Sequence, residues 1–342
     1  MRHWLRKHVR LARQYTQPKA VVLMYHRVAE PDTDIWDLAV SPAHFEQQLR
    51  VLKQLGTVIS TLELSERLHE RTLKRRSIAI TFDDGYLDNY LNARPLLAQY
   101  QLPATFFIVS GHVGVDQEFW WDELADILLL SEHLPAALVF NLPDGSQLTA
   151  DLQPEQSLTP ALRHQHQHWH ASVQAPPTLR AALFYKLWQQ LRPLPAPTQQ
   201  LCLQQLRAWA GRQPSTRSAY KSIGLSHLQE LHGNALFTIG AHTITHPALA
   251  NHAVALQQQE VDGGRRALHE ATGQLPQVLA YPYGSYGSET AALAGQLGFK
   301  AAFTTEARLV TTAAEAHKLG RFQVNNWSGD EFKRHLSHWF RH

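Results

Sequence analysis

Six short apolar runs, each ending in polar or catalytic-type residues, constrain the fold of this chain more than any other feature. They are AVVLMYH (20–26), SIAITFDD (77–84), PATFFIVSG (103–111), LFTIGAHT (236–243), QVLAYPYG (277–284) and AAFTT (301–305). Runs this short and this continuously apolar read as strands covered on both faces. Helical patterns lie between them at 41–55, 87–99, 252–272 and 288–297, and Ser41-Pro42 supplies an N-cap followed by proline at the first helical position. Strand–helix alternation predicts parallel strands joined by crossover helices, an α/β fold.

The alternation stops between roughly 115 and 224, where ten prolines accompany helical pieces at about 119–132, 179–192 and 197–211. This stretch reads as a mostly helical insertion on a βα loop. The expected organisation is a basic N-terminal helix over 1–19, an α/β domain over 20–114 and 225–342, and an insertion over 115–224.

With 342 residues, 44% apolar and 18% charged, the chain suits one barrel-sized domain plus an insertion, and its composition argues against a disordered chain. A formal charge of +3 and the lack of an aromatic-and-basic RNA motif argue against a nucleic-acid partner. The single cysteine, Cys202, excludes a disulfide framework and reads as a small buried apolar residue. No apolar run reaches the roughly 18 residues needed to span a bilayer. The start, MRHWLRKHVRLARQYTQPKA, has no continuous apolar segment of the secretory kind, so a cytoplasmic location is expected. Residues 1–15 interleave Trp4, Leu5, Val9 and Leu11 with Arg2, Arg6, Lys7 and Arg10. Such a helix lies peripherally on the anionic face of the inner membrane, packs outside the barrel or is a frayed terminus.

Two segments carry the chemistry. TFDDGY (81–86) puts Asp83 and Asp84 at a strand end, and GAHTITHP (240–247) puts His242 and His246 four apart after another strand. A helical i, i+4 spacing would place both imidazoles on one face, able to share an ion. Two His and one Asp leave coordination positions open, as a catalytic zinc, or cobalt or nickel, requires. Asp83 is then free to act as a base toward the attacking water. Each segment has a bland alternative: DDG is a common capped turn, and an HxxxH pair arises readily in a chain with 21 histidines. Their joint occurrence after apolar strands is far more specific. His26 ends the first strand, as a proton donor to a leaving amine or as a structural polar group. In LAYPYGSYG (279–287), Pro282 and Gly284 shape a turn from which the Tyr283 N–H would face an oxyanion, unless the turn is an ordinary one. Arg321, in LGRFQVNNW (319–327), either supports Asp83 or pairs with a surface acid. Trp120 and Trp121 read as core of the insertion rather than as sugar platforms. The His-rich RHQHQHWH (163–170) has little specificity for a metal.

Over about 20–114 and 225–327 these residues resemble the polysaccharide deacetylase family, also called NodB-homology or carbohydrate esterase family 4. TFDDG resembles the family's first motif, which implies Asp83 as catalytic base and Asp84 as metal ligand. HTITH resembles the second motif, H-[ST]-x-x-H, which implies His242 and His246 as the other ligands. The resemblance implies a distorted (β/α) barrel of seven or eight strands with the site at the strands' C-terminal ends. The third motif, Arg-x-Pro-[Phe/Tyr], has Ala280 where the family has the arginine that orients the base, and Arg321 is the candidate substitute. The usual C-terminal Leu-x-His motif is absent. The branch acting on bacterial poly-N-acetylglucosamine, with permuted strand order and an acid His in a Tyr-His context, is more similar, and Tyr25-His26 fits that place. The resemblance implies a metal-dependent hydrolase that removes an N-acetyl group from an amino sugar of a bacterial surface polysaccharide or its lipid- or nucleotide-linked precursor. A deformylase of a lipid-linked amino sugar and a catalytically weak glycan-binding protein are the alternatives; an iron oxygenase would leave Asp83 without a role.

Overall fold

The computed structural model describes residues 18–341. Its main sheet contains β1 (Lys19–Tyr25), β2 (Arg75–Phe82), β3 (Ala104–Ile108), β4 (Phe237–Ala241), β5 (Val278–Ala280), β6 (Ala301–Phe303), β7 (Val310–Thr311) and β8 (Phe322–Gln323). The strand path runs β6-β5-β4-β3-β2-β1-β7, curled into a half-barrel, and β8 also pairs with β1. All these pairings are parallel except β7 against β1. Continuous burial of Ala20–Tyr25 and Ser77–Phe82 shows why the sequence has no polar alternation here: helices cover one face and the barrel interior the other.

Register fixes the mouth of the barrel. Tyr25 pairs with Phe82, so His26 and Asp83 leave the sheet side by side, and the Asp83 N–H donates to the Tyr25 carbonyl at 3.0 Å. The connecting helices are α1 (Pro42–Leu55), α2 (Thr61–His69) and α3 (Arg94–Tyr100). Ser41 and Ser60 cap the first two by accepting from the N–H groups of His44 and Glu63.

The interrupted region holds α4 (Trp120–Ala125), α5 (Pro160–Gln167), α6 (Leu179–Leu191) and α7 (Ala196–Trp209). It also holds a β-hairpin, Ala137–Asn141 with Gln147–Asp151, which the helical expectation missed. Its signals are there: Leu138 and Phe140 alternate inward with exposed neighbours, and Gly145 takes φ 85° in the turn. Phe119, Leu128, Trp169, Phe184, Leu187 and Leu203 form a core separate from the barrel's, joined by Ile35, Tyr86 and Val109. The chain continues through α8 (Leu225–His232), α9 (Val254–Thr272), α10 (Ser288–Gln296) and α11 (Gly329–Trp339).

Candidate active site

Asp84 follows β2, and His242 and His246 follow β4, on the two sides of β3. Asp84 Oδ1 lies 3.5 Å from His242 Nε2 and 3.3 Å from His246 Nε2. One ligand atom from each residue falls within 4.8 Å of the others, and all three side chains are buried.

The two histidines do not converge through a helix, contrary to the spacing argument. Residues 242–246 form an irregular turn with Thr243 at φ 67° and His246 at φ 62°, and Asp84 itself sits at φ 72°. Such left-handed backbone in non-glycine residues is unfavourable and persists only where the surroundings impose it. Here Thr243 Oγ1 accepts from the His246 N–H at 3.0 Å. Glu260 on α9 accepts from Ile244 N, Thr245 N and Thr245 Oγ1 at 3.0, 2.8 and 2.7 Å. Gly264 lets α9 approach this closely, since a Cβ there would meet the Thr243 carbonyl carbon at 2.6 Å. A clamped turn thus does what a helical face was expected to do.

The donor set fits a divalent cation. His242 Nδ1 stands 2.8 Å from the Ala280 carbonyl, an acceptor only, so the proton is on Nδ1 and Nε2 turns a lone pair toward Asp84. Asp84 Oδ1 is buried without a hydrogen-bond partner. An orphaned carboxylate oxygen facing imidazole nitrogens is costly unless a cation joins them. Burial pushes the Asp84 carboxyl up, but the two imidazoles beside it outweigh burial and hold it well below the usual carboxylate range. Burial depresses His246, which favours the neutral, ligating form.

Asp83 is gripped by Arg321. Nη1 donates to Asp83 Oδ1 and Nη2 to Oδ2, each at 2.7 Å, and both side chains are buried. Further bonds to Thr81 Oγ1 and the Thr304 carbonyl fix the guanidinium. Burial raises the Asp83 carboxyl, while Arg321, then His242 and His26, bring it below its ordinary value. His26 Nε2 lies 4.0 Å from Asp83 Oδ2. Ala280 is fully buried and serves the site only through its carbonyl. Pro282 is buried and opens the turn Pro282–Gly284, in which Tyr283 takes φ 56°. The Tyr283 N–H has no acceptor among the described residues, and its ring lies 4.4 Å from that of His246.

These groups open into one cleft of about 220 Å³. His26, Asp83, Asp84, His242, His246 and Tyr283 line its base, with Trp36, Trp121, Trp188, Thr305 and Gln323 around it. Trp120 and Trp121 are both buried, as the core reading expects, yet Trp121 also borders the cleft. Trp36 and Trp188 were not anticipated; single tryptophans in a loop and on an apolar helix carry no signal of which cavity they face. His166 is a buried structural group bonded to the Leu129 carbonyl and Thr178, and His170 pairs with Asp37 at 2.6 Å. Among the described residues, Asp84, His242 and His246 are the one cluster able to hold a metal. Cys202 is buried. The basic segment 1–15 lies outside the described residues.

The polysaccharide deacetylase family model matches residues 70–129 and 213–302, and so runs into both ends of the stretch 115–224 expected as an insertion. A segment of 114 residues is 34% identical to poly-beta-1,6-N-acetyl-D-glucosamine N-deacetylase of Staphylococcus aureus strain MSSA476, covering 30% of this chain and 39% of that protein. The chain thus matches about two-fifths of the length of this relative. Two solved structures share the fold. The deacetylase PplD of Streptococcus pyogenes, in complex with acetate, has a TM-score of 0.57 at 18% identity, over 94% of this chain and 99% of that one. IcaB of Ammonifex degensii has a TM-score of 0.57 at 20% identity, over 95% and 98%. With the motif residues assembled at one mouth of a half-barrel, the chain shares the fold of these deacetylases and is similar to the polysaccharide deacetylase family over the segments that carry β3 and β4.

Proposed function

We propose that this protein is a metal-dependent N-deacetylase acting on an amino sugar of a surface polysaccharide or its precursor. The observation that carries the reading is the convergence of Asp84, His242 and His246 beside an Asp83 held by Arg321. Two imidazoles and one carboxylate suit zinc, with cobalt or nickel able to replace it. When bound, such an ion polarises the acyl carbonyl and acidifies the attacking water.

The chain's own groups do the rest. Asp83, kept anionic and aimed by the two-pronged Arg321 contact, accepts the proton of the attacking water. The Tyr283 N–H, in a residue that lines the cleft, donates to the developing oxyanion in this reading. His26, beside Asp83 at the cleft, delivers a proton to the departing nitrogen, because an amide anion is far too basic to leave unaided. The tryptophans of the cleft offer flat apolar surface to a pyranose ring.

The substrate proposed is an N-acylated glycan, presented as a finished polymer or as a lipid- or nucleotide-linked precursor. The similarity to a poly-N-acetylglucosamine deacetylase supports the amino sugar. The basic and apolar pattern of residues 1–15 supports peripheral contact with the inner membrane from the cytoplasm. No helix among the described residues is long and apolar enough to cross a membrane. Recovery of the native protein from periplasm or medium would overturn this location. The reaction is tested by acetate release from N-acetylglucosamine oligomers with added zinc, cobalt or nickel. Wild type releases acetate, and Asp83→Asn loses about 10²–10⁴-fold. Unchanged turnover in that variant would sink the assigned base.

A further inference from the structure

We propose that Trp188 and Arg192, one turn apart at the end of α6, bind an anionic group, a carboxylate or a phosphate, carried on the glycan next to the reacting sugar. This rests on the deacetylase reading and extends it from the acyl group to the substrate's charge.

Trp188 lines the cleft and packs against Trp36, with ring centroids 4.5 Å apart. The Arg192 guanidinium carbon lies 5.1 Å from the Trp188 ring centroid and 5.8 Å from that of Tyr283. Tyr283 in turn lies against His246. A positive charge therefore rests on the aromatic wall, between the insertion and the metal-ligand side of the cleft.

Its lack of a partner is what points to a ligand. The other arginines bearing on this region are satisfied: Arg321 by Asp83, Arg27 by Asp88, Arg217 by Glu118 and Arg180 by three carbonyls. The Arg192 guanidinium makes no hydrogen bond or ion pair with any described residue. Among the described residues that line the cleft, the acids are Asp83, held by Arg321, and Asp84, in the ligand set, so no other lining carboxylate competes for it. Stacking on aromatic faces holds a guanidinium in place while leaving its N–H edge open. That edge matches a carboxylate or phosphate through paired N–H···O bonds. A role confined to covering Trp188 and the helix C-terminus would need no ligand, and the experiment separates the two.

Full-length Asp83→Asn protein, zinc-loaded to hold ligand without turnover, is titrated calorimetrically with two matched pairs. One pair is the neutral N-acetylglucosamine tetramer and a hyaluronan tetrasaccharide, in which a uronate flanks each N-acetylglucosamine. The other is N-acetylglucosamine and N-acetylglucosamine 1-phosphate. One anionic member should bind about tenfold more tightly than its neutral counterpart, the pair showing whether the source is carboxylate or phosphate. Adding Arg192→Gln should erase the preference, and Arg192→Lys should keep part of it, with all melting temperatures close to the parent's. Equal binding within both pairs, a preference surviving Arg192→Gln, or no binding at all would overturn the inference. Acetate release by wild type on the same compounds is scored separately. Release with no preference for charge sinks this inference alone, whereas an Arg192-dependent preference without any release supports it and sinks the deacetylase reading.

Discussion

Removing Arg321 should expose how much the site depends on a residue outside the usual motif position. In Arg321→Met the side chain keeps most of its length, but Asp83 loses two charge-assisted bonds of 2.7 Å. Both partners are buried, at 3% and 0% side-chain exposure, so water cannot replace the guanidinium without rearrangement. Breaking such a pair from one side costs about 3–5 kcal/mol, because the remaining charge is left desolvated. Burial is the largest influence on Asp83 and acts upward, so without Arg321 the carboxyl takes up a proton more readily and is a poorer base. Urea unfolding should show a loss of about 3 kcal/mol, and kcat for acetate release should fall about 100-fold with KM little changed. Arg321→Lys, which keeps charge but not the fork, should fall between. The double variant Asp83→Asn/Arg321→Met should be more stable than the sum of the single losses by about 2 kcal/mol, since it removes both charges together. Stability within about 0.5 kcal/mol of wild type, or unchanged kcat despite lost stability, would refute a positioning role for Arg321.

Other consequences follow from the same geometry. Gly264→Ala drives a methyl into the Thr243 backbone, so α9 or the ligand turn must shift; zinc affinity in a chelator competition should drop more than tenfold, with about 1–3 kcal/mol of stability lost. Unchanged zinc affinity would show that the clamp is dispensable. Asp122 is pushed up to about 7 by burial, against the opposing pull of Arg27 and its bond from the Tyr86 hydroxyl. Its folded value exceeds the ordinary 3.8, so its contribution to stability is complete below about pH 4 and is lost as pH rises through 7. Asp122→Asn should therefore flatten the fall in unfolding free energy between those limits by roughly 4 kcal/mol; identical pH slopes would contradict this.

The barrel was legible because strands buried on both faces must be apolar throughout, and each of the six runs contains a strand of the sheet. Boundaries slipped at the catalytic ends: strand pairing stops at Phe82 and Ala241, before the site residues, which sit in strained turns. The pairing of Asp83 with Asp84, and of His242 with His246, marked which residues meet. It did not reveal how, since the left-handed turn at 242–246 depends on Glu260 and Gly264, distant in sequence and without a local pattern. Arg321 was traceable only because Ala280 stands where the related motif has arginine; a buried acid needed a cation from elsewhere. The insertion was read least well. Its hairpin carried a period of two and a glycine turn, but proline-rich helical neighbours obscured both. That Trp36 and Trp188 reach the cleft, with Arg192 against the rings of Trp188 and Tyr283, depends on how two hydrophobic cores dock, which no periodicity encodes.

Zinc stoichiometry measured by calorimetry on chelator-stripped full-length protein tests the central claim most directly. Wild type should take up one ion per chain, and Asp84→Ala, His242→Ala and His246→Ala should each lose that binding while remaining folded. A wild-type protein that binds no divalent ion, or a histidine variant that binds it as wild type does, would contradict the account.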